Sequence, residues 1–203
     1  MPDDPRVAFF DAIARDWDGW EDLDRLRLLL QEGLSELGVG PRETVVDIGC
    51  GTGNLTRAIL DCLSPEGRVV AVDFSPAMIA VAREKIHDGR VSWNVADACR
   101  LPIGDGRCDR VFCLGVWPHF RDPDGVAREV FRVLRPGGLL HVWHLISRQR
   151  VNEIHQGKGG PVGSDLLAPG DQTAALLETV GFQVRTMEDT ERRYLVTGEK
   201  PRE

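Results

Sequence analysis

No stretch of this sequence approaches the roughly 18 consecutive apolar residues that a bilayer-spanning helix needs. No basic stripe is present either. The 203 residues carry 25 Lys and Arg against 32 Asp and Glu, a net charge of −7, which makes nucleic acid a poor partner. The chain opens Met-Pro-Asp-Asp, without the basic and apolar regions of a secretory signal, so a cytoplasmic protein is expected. Five cysteines occur, Cys50, Cys62, Cys99, Cys108 and Cys113, but no C-x-x-C pair. In that compartment they read as free thiols. Tyr194 is the only tyrosine.

What is present suits a globular chain: 42% hydrophobic and 28% charged residues. The length suggests one domain over residues 1–203, acting as a monomer or homodimer. The acidic excess sits at the front, where residues 1–25 hold eight acids and three bases. Asp16, Asp18, Glu21, Asp22 and Asp24 read as a solvated helix face, with a cation-attracting rim as the other reading.

Residues 1–40 form a helical cap in this reading, since Leu23, Leu26, Leu29, Leu30, Leu34 and Leu37 recur at helical spacing up to Gly38 and Gly40. Residues 41–146 alternate short β-branched runs with helices. Strands are expected at Thr44–Ile48, Arg68–Val72, Val91–Val95, Asp109–Leu114 and Leu139–Ile146. Helices are expected near 54–63, 75–87 and 124–134. That alternation indicates βαβ units and a parallel sheet. Residues 147–203 add a polar helix, a loop over 157–170 with five glycines and two prolines, a helix near 171–180 and two strands near 182–188 and 193–199.

The strongest chemical signal is Asp47-Ile48-Gly49-Cys50-Gly51-Thr52-Gly53-Asn54. Glycines at alternate positions follow a strand and open a helix, where backbone can approach a ligand closely. A dinucleotide fold would place its third glycine where Asn54 stands. Asp47 beside the loop would repel a pyrophosphate and attract an ammonium group. Asp73 ends the second strand, the place for a carboxylate that accepts two ribose hydroxyls. The pattern implies a nucleoside with a cationic tail. An NAD-dependent oxidoreductase is the runner-up, opposed by Asn54, by Asp47 and by the missing Tyr/Lys pair.

Those residues, with Asp73-Phe74-Ser75-Pro76-Ala77-Met78, Asp97-Ala98, Asp109–Cys113 and Leu134-Arg135-Pro136-Gly137-Gly138, resemble the class I S-adenosylmethionine-dependent methyltransferases. The resemblance implies a three-layer α/β/α Rossmann-like sandwich. Its seven-stranded sheet is mostly parallel, with the last strand antiparallel. It implies S-adenosylmethionine as cofactor and S-adenosylhomocysteine as product. It places Asp47, Gly49, Cys50, Gly51, Gly53 and Asn54 at the cofactor. Asp73 would hold the ribose, Phe74, Ser75 and Met78 would line the adenine side, and Asp97 and Ala98 would meet its edge. Leu114 and Gly115 would follow at the end of the fourth strand. Phe74 and Met78 could equally be core, and Asp97 a turn cap. A non-catalytic cofactor-binding protein is a further alternative.

Phe9–Asp18 resembles the family's substrate-covering helix, with Trp17 as the candidate aromatic. Pro118-His119-Phe120, then His144-Leu145-Ile146-Ser147-Arg148 and a further His155, resembles one branch of small bacterial class I methyltransferases of the type 11 kind. His119, His144 and His155 are the candidate catalytic residues, with Trp117 and Arg148 beside them in a substrate site for a small molecule. Imidazoles suit zinc, nickel or iron, but a metal is not expected.

Overall fold

The computed structural model describes residues 4–202, so the first three residues of the expected cap lie outside it. The chain divides into two compact units, one running to Asp97 and one starting at Ala98.

The first unit holds helices α1 (Pro5–Ile13) and α2 (Leu23–Glu36), then strand β1 (Thr44–Ile48), α3 (Asn54–Cys62), β2 (Arg68–Asp73), α4 (Pro76–Lys85) and β3 (Val91–Val95). The expected helical cap consists of two helices. A single 3-10 turn, Trp17–Trp20, lies between them. Asp22 then starts α2 by accepting the Arg25 N–H at 3.1 Å. Ser75 caps α4 in the same way, taking the Met78 N–H at 3.1 Å, with Pro76 in the first turn. β2 pairs in parallel with β1 and β3, matching Ile48 to Val72 and Asp73 to Val95. Val45, Val46, Val69, Ala71 and Val72 are all buried, as strands covered on both faces require.

The second unit holds β4 (Cys108–Leu114), α5 (Pro123–Val133), β5 (Leu134–His144), α6 (Arg148–Lys158), α7 (Gly170–Val180), β6 (Gln183–Asp189) and β7 (Tyr194–Glu199). β4 and β5 are parallel, and β7 runs antiparallel to both β5 and β6. The Arg-Pro-Gly-Gly segment, ahead of the fifth strand expected from Leu139, lies within it. Gly137, at φ +77°, donates to the Lys200 carbonyl at 2.8 Å, and the Lys200 N–H returns to Gly138 at 2.9 Å. The left-handed glycine lets the strand bulge there and stay paired. β5 also stops two residues sooner than expected, at His144. The strand order is β3-β2-β1-β4-β5-β7-β6 in one seven-stranded sheet flanked by helices, the expected fold class.

The glycine turn between β1 and α3 is left-handed at three positions. Gly49, Gly51 and Gly53 have φ of +69°, +53° and +87°. A Cβ on Gly53 would come within 2.8 Å of Ile86 Cδ1, 3.2 Å of the Trp93 ring and 3.3 Å of Ala82 Cβ. A Cβ on Gly51 would meet nothing within 4 Å. Gly53→Ala therefore adds a clash to the roughly 1–2 kcal/mol of left-handed strain that Gly51→Ala also carries. Thermal melts are expected to show the larger fall for Gly53→Ala. Equal falls would mean that the contact with Trp93 and Ile86 relaxes freely.

Candidate functional site

In the first unit the polar groups converge on the glycine turn. Asp73 accepts the Gly51 N–H on one oxygen at 2.8 Å and the Ser75 N–H on the other at 2.9 Å. The carboxylate thereby ties the turn to the start of α4, with the open side of Gly51 beside it. Burial pushes the Asp73 carboxyl up to about 6, against the pull of those amides. Asp47 is buried under the turn and accepts the Thr56 hydroxyl of α3 at 2.6 Å. Burial, reinforced by the Asp73 charge, pushes it up to about 7. Cys50 is buried and its thiol is pushed far up, first by burial and then by these two acids. It packs with Ala71 and Ile79, and is no nucleophile.

The N-terminal segment is strapped onto this turn. Asp18, expected as part of a solvated face, accepts the Thr52 hydroxyl at 2.6 Å and the Asn54 amide at 3.0 Å, and pairs with Lys85. Burial alone would raise its carboxyl, but the Lys85, Thr52 and Asn54 donors hold it below its usual value. Asp11 accepts the Ser75 hydroxyl and the Ala77 N–H, the latter at 3.2 Å. Phe10 lies 5.7 Å from Phe74 and 6.0 Å from Trp17, and Trp17 lies 5.7 Å from Trp20. The candidate Trp17 thus sits in an aromatic cluster on Phe74. Met78 is 2% exposed, so in this arrangement it is core. Asp97 follows β3, half-buried.

Of the other cofactor candidates, Ala98, Leu114 and Gly115 belong to the second unit. Ala98 is buried, Leu114 ends β4, and Gly115 turns at φ +65° while donating to the Trp143 carbonyl at 2.9 Å.

The three candidate histidines come together within the second unit. His119 and His155 have ring centroids 4.8 Å apart, and Asp165 joins them. Its carboxylate meets His119 Nδ1 at 2.9 Å, and its backbone carbonyl meets His155 Nδ1. His144 is buried edge-on to Tyr194, its register partner on β7. Its Nε2 has no hydrogen-bond partner, an arrangement that costs about 1–3 kcal/mol. Burial, with the neighbouring His119 and His155 charges, holds its pKa down to about 3. His141, three residues earlier and on the other face of β5, is a structural residue. It stacks on Phe112 and bonds Arg110 at 2.8 Å and Thr197 at 2.9 Å.

Two substrate candidates are otherwise engaged. Arg148 donates to Asp189 at 2.7 Å, and the same Asp189 oxygen takes the Gly170 N–H that opens α7. Trp117 is buried with its ring edge-on to Phe120. Asp165 was not legible in the sequence: it stands alone in the glycine-rich loop after α6. That loop is built, not slack. Asn152 of α6 clamps Leu167 through both its N–H and its carbonyl. Among the described residues, no group of three or more His, Cys, Asp or Glu is placed to hold a metal ion, and no helix is long and apolar enough to cross a membrane.

Residues 45–138 match the family model of a methyltransferase domain. UbiE, a ubiquinone/menaquinone biosynthesis C-methyltransferase from Hahella chejuensis, is 34% identical over 140 residues, covering 66% of this chain and 56% of that protein. Methyltransferase GfsG from Streptomyces halstedii is 29% identical over 208 residues, covering 95% of this chain and 73% of that protein. A solved S-adenosylmethionine-dependent methyltransferase from Aquifex aeolicus superposes with a TM-score of 0.76 at 22% identity, over 94% of this chain and 98% of that one. The chain spans about half the length of most curated relatives it matches. By family match residues 45–138 are a methyltransferase domain, and the fold around them is shared with solved S-adenosylmethionine-dependent methyltransferases. The cofactor that such a domain takes is S-adenosylmethionine.

The strap gives one expectation. Asp18→Ala removes the acceptor shared by Thr52, Asn54 and Lys85, so S-adenosylhomocysteine should leave faster in stopped-flow displacement while the melting temperature changes by only a few degrees. An unchanged dissociation rate would show that the strap does not gate the loop.

The buried acids give another. Both carboxyls bind their protons more tightly folded than unfolded, so their contribution to stability is greatest below about pH 4 and falls as pH rises through about 4–7. A cationic cofactor favours the ionised forms, so its affinity should rise with pH across that window, with proton release. Calorimetry in two buffers of different ionisation enthalpy measures this; a pH-independent affinity would contradict it.

Proposed function

We propose that this protein transfers the methyl group of S-adenosylmethionine to a small-molecule acceptor by in-line displacement. The observation that carries the reading is the Asp73 carboxylate on the Gly51 N–H, beside a position where no side chain fills the space. That cradle fits a ribose whose hydroxyls need a carboxylate, with backbone approaching close. Asp47, when ionised, places negative charge under the loop for an ammonium group, and Phe74 offers an apolar face to a base.

When bound, the sulfonium supplies an activated methyl group. The chain must orient the acceptor, exclude water and, where the nucleophile carries a proton, remove it. We assign the acceptor side to His119, His144 and His155. Two of the three are depressed in pKa, His144 and His155, each chiefly by burial, and stay uncharged at neutral pH. UbiE is named for ubiquinone and menaquinone biosynthesis, which supports a small molecule as acceptor here.

Titration calorimetry with S-adenosylmethionine tests the reading. Saturable binding is expected, and Asp73→Ala should weaken it by about 1–3 kcal/mol, the cost of leaving ligand hydroxyls unpaired. Saturating NAD binding with no S-adenosylmethionine binding would overturn it.

A further inference from the structure

The N-terminal segment grips the glycine turn through carboxylates, and it reaches both sides of the cradle. Asp18 takes the Thr52 hydroxyl and the Asn54 amide where α3 begins. Asp11 takes the Ser75 hydroxyl and the Ala77 N–H where α4 begins. Phe10, next to Asp11, lies against Phe74 with ring centroids 5.7 Å apart. All of these groups belong to the first unit.

The two carboxylates differ in how their charge is met. Asp18 also pairs with the Lys85 ammonium. The partners of the half-buried Asp11 are both uncharged groups. Ser75 holds a carboxylate at each end, its N–H on Asp73 at 2.9 Å and its hydroxyl on Asp11. The two acids thus share one serine. Burial raises the Asp73 carboxyl first, and the Asp11 charge adds to that rise. Asp47 lies buried under the same turn. Like charges so placed repel far more than they would in bulk water. Laying the strap down therefore costs electrostatic work, which a cation in the cradle offsets and a neutral group does not.

A carboxylate at a helix N-terminus is stabilising in its own right, because it meets unpaired N–H groups and the positive end of the dipole. Here α4 already has its cap, the Ser75 hydroxyl oxygen on the Met78 N–H at 3.1 Å. Asp11 is an additional acceptor, brought to the same serine from 64 residues away.

We propose that Asp11 is a specificity residue that makes closure of the N-terminal strap depend on ligand charge, favouring the sulfonium cofactor over its product. The inference rests on the methyltransferase reading. Cofactor and product differ by one methyl group and one positive charge, since the sulfur is a sulfonium before transfer and a neutral thioether after it. With the cation present, the acids are balanced and the strap stays on Thr52, Asn54, Ser75 and Ala77. Once the charge is gone, the repulsion returns, the strap lifts and the product leaves. Such coupling is reciprocal, so a change that removes the Asp11 charge weakens the cofactor more than the product.

The test compares S-adenosylmethionine, S-adenosylhomocysteine and sinefungin, in which a carbon bearing an ammonium group replaces the methylsulfonium. Affinities are measured by titration calorimetry on the full chain. Asp11→Asn keeps an oxygen acceptor and loses the charge, and Asp11→Glu keeps the charge. Asp24→Asn removes the same charge from an exposed place in the first turn of α2. In Asp11→Asn the cofactor-to-product affinity ratio should fall by about 3–10-fold, as the loss of one partly screened charge interaction predicts. The sinefungin-to-product ratio should fall with it. Asp11→Glu should keep both ratios even where overall affinity drops, and Asp24→Asn should leave them at wild type. Hydrogen exchange over residues 5–20 reads the strap itself. Protection should be greater with either cationic ligand than with the product, and Asp11→Asn should abolish the difference. An Asp11 that only caps α4 lowers the melting temperature of Asp11→Asn and leaves the ratios alone, which overturns the proposal. Equal protection by all three ligands also overturns it. A chain that binds none of the three overturns the methyltransferase reading, a pattern distinct from an unchanged ratio.

Discussion

Everything in the first unit hangs on a backbone that turns left-handed three times in five residues. Gly49, Gly51 and Gly53 all have positive φ, a conformation that costs other residues about 1–2 kcal/mol each. The three glycines do different work. Gly49 donates to the Val72 carbonyl at 2.8 Å and so joins the turn to the neighbouring strand. Gly51 gives its N–H to Asp73 and leaves open space. Gly53 lets α3 begin against Trp93, Ile86 and Ala82. An open position and a packing joint are thus made by residues two positions apart.

Around that turn the protein keeps acids where water cannot reach them. Asp47 and Asp73 are both buried and both hold their protons unusually tightly. Replacing them with apolar residues of similar size would relieve that desolvation cost. Asp18 and Asp11 follow another logic. They reach from the N-terminal segment to groups of the loop and of α4 that need acceptors, and their bonds are made within the chain.

The second unit sets a comparable pattern with imidazoles. One face of β5 carries His141, wholly satisfied by Arg110 and Thr197. The other carries His144, which is left with an unpaired nitrogen. Period-2 alternation separates the two, and the contrast is between a histidine whose bonding is complete and one whose bonding is not. Arg148 shows the opposite case: a residue adjacent to the motif, spent on Asp189 at the start of α7.

Much of this was legible in the sequence because it depends on local chemistry. Glycines at alternate positions after β1, Asp73 at a strand end and Ser75-Pro76 at a helix start each act within a few residues. The strand–helix alternation followed from the same short-range signals, and with the family resemblance it led to the correct sheet. Boundaries slipped where long-range pairing overrode them. Arg135–Gly138 reads as a turn, yet Lys200, far along the chain, holds it in β5. The acids misled for the same reason. Nothing beside Asp18 marks it as the acceptor for Thr52, Asn54 and Lys85, and nothing beside Asp165 marks it as the partner of two histidines 46 and 10 residues away. Residue type and spacing determined which groups could do chemistry. Only the tertiary structure decided which were already spent on one another, because a carboxylate's partners are chosen by distance in space.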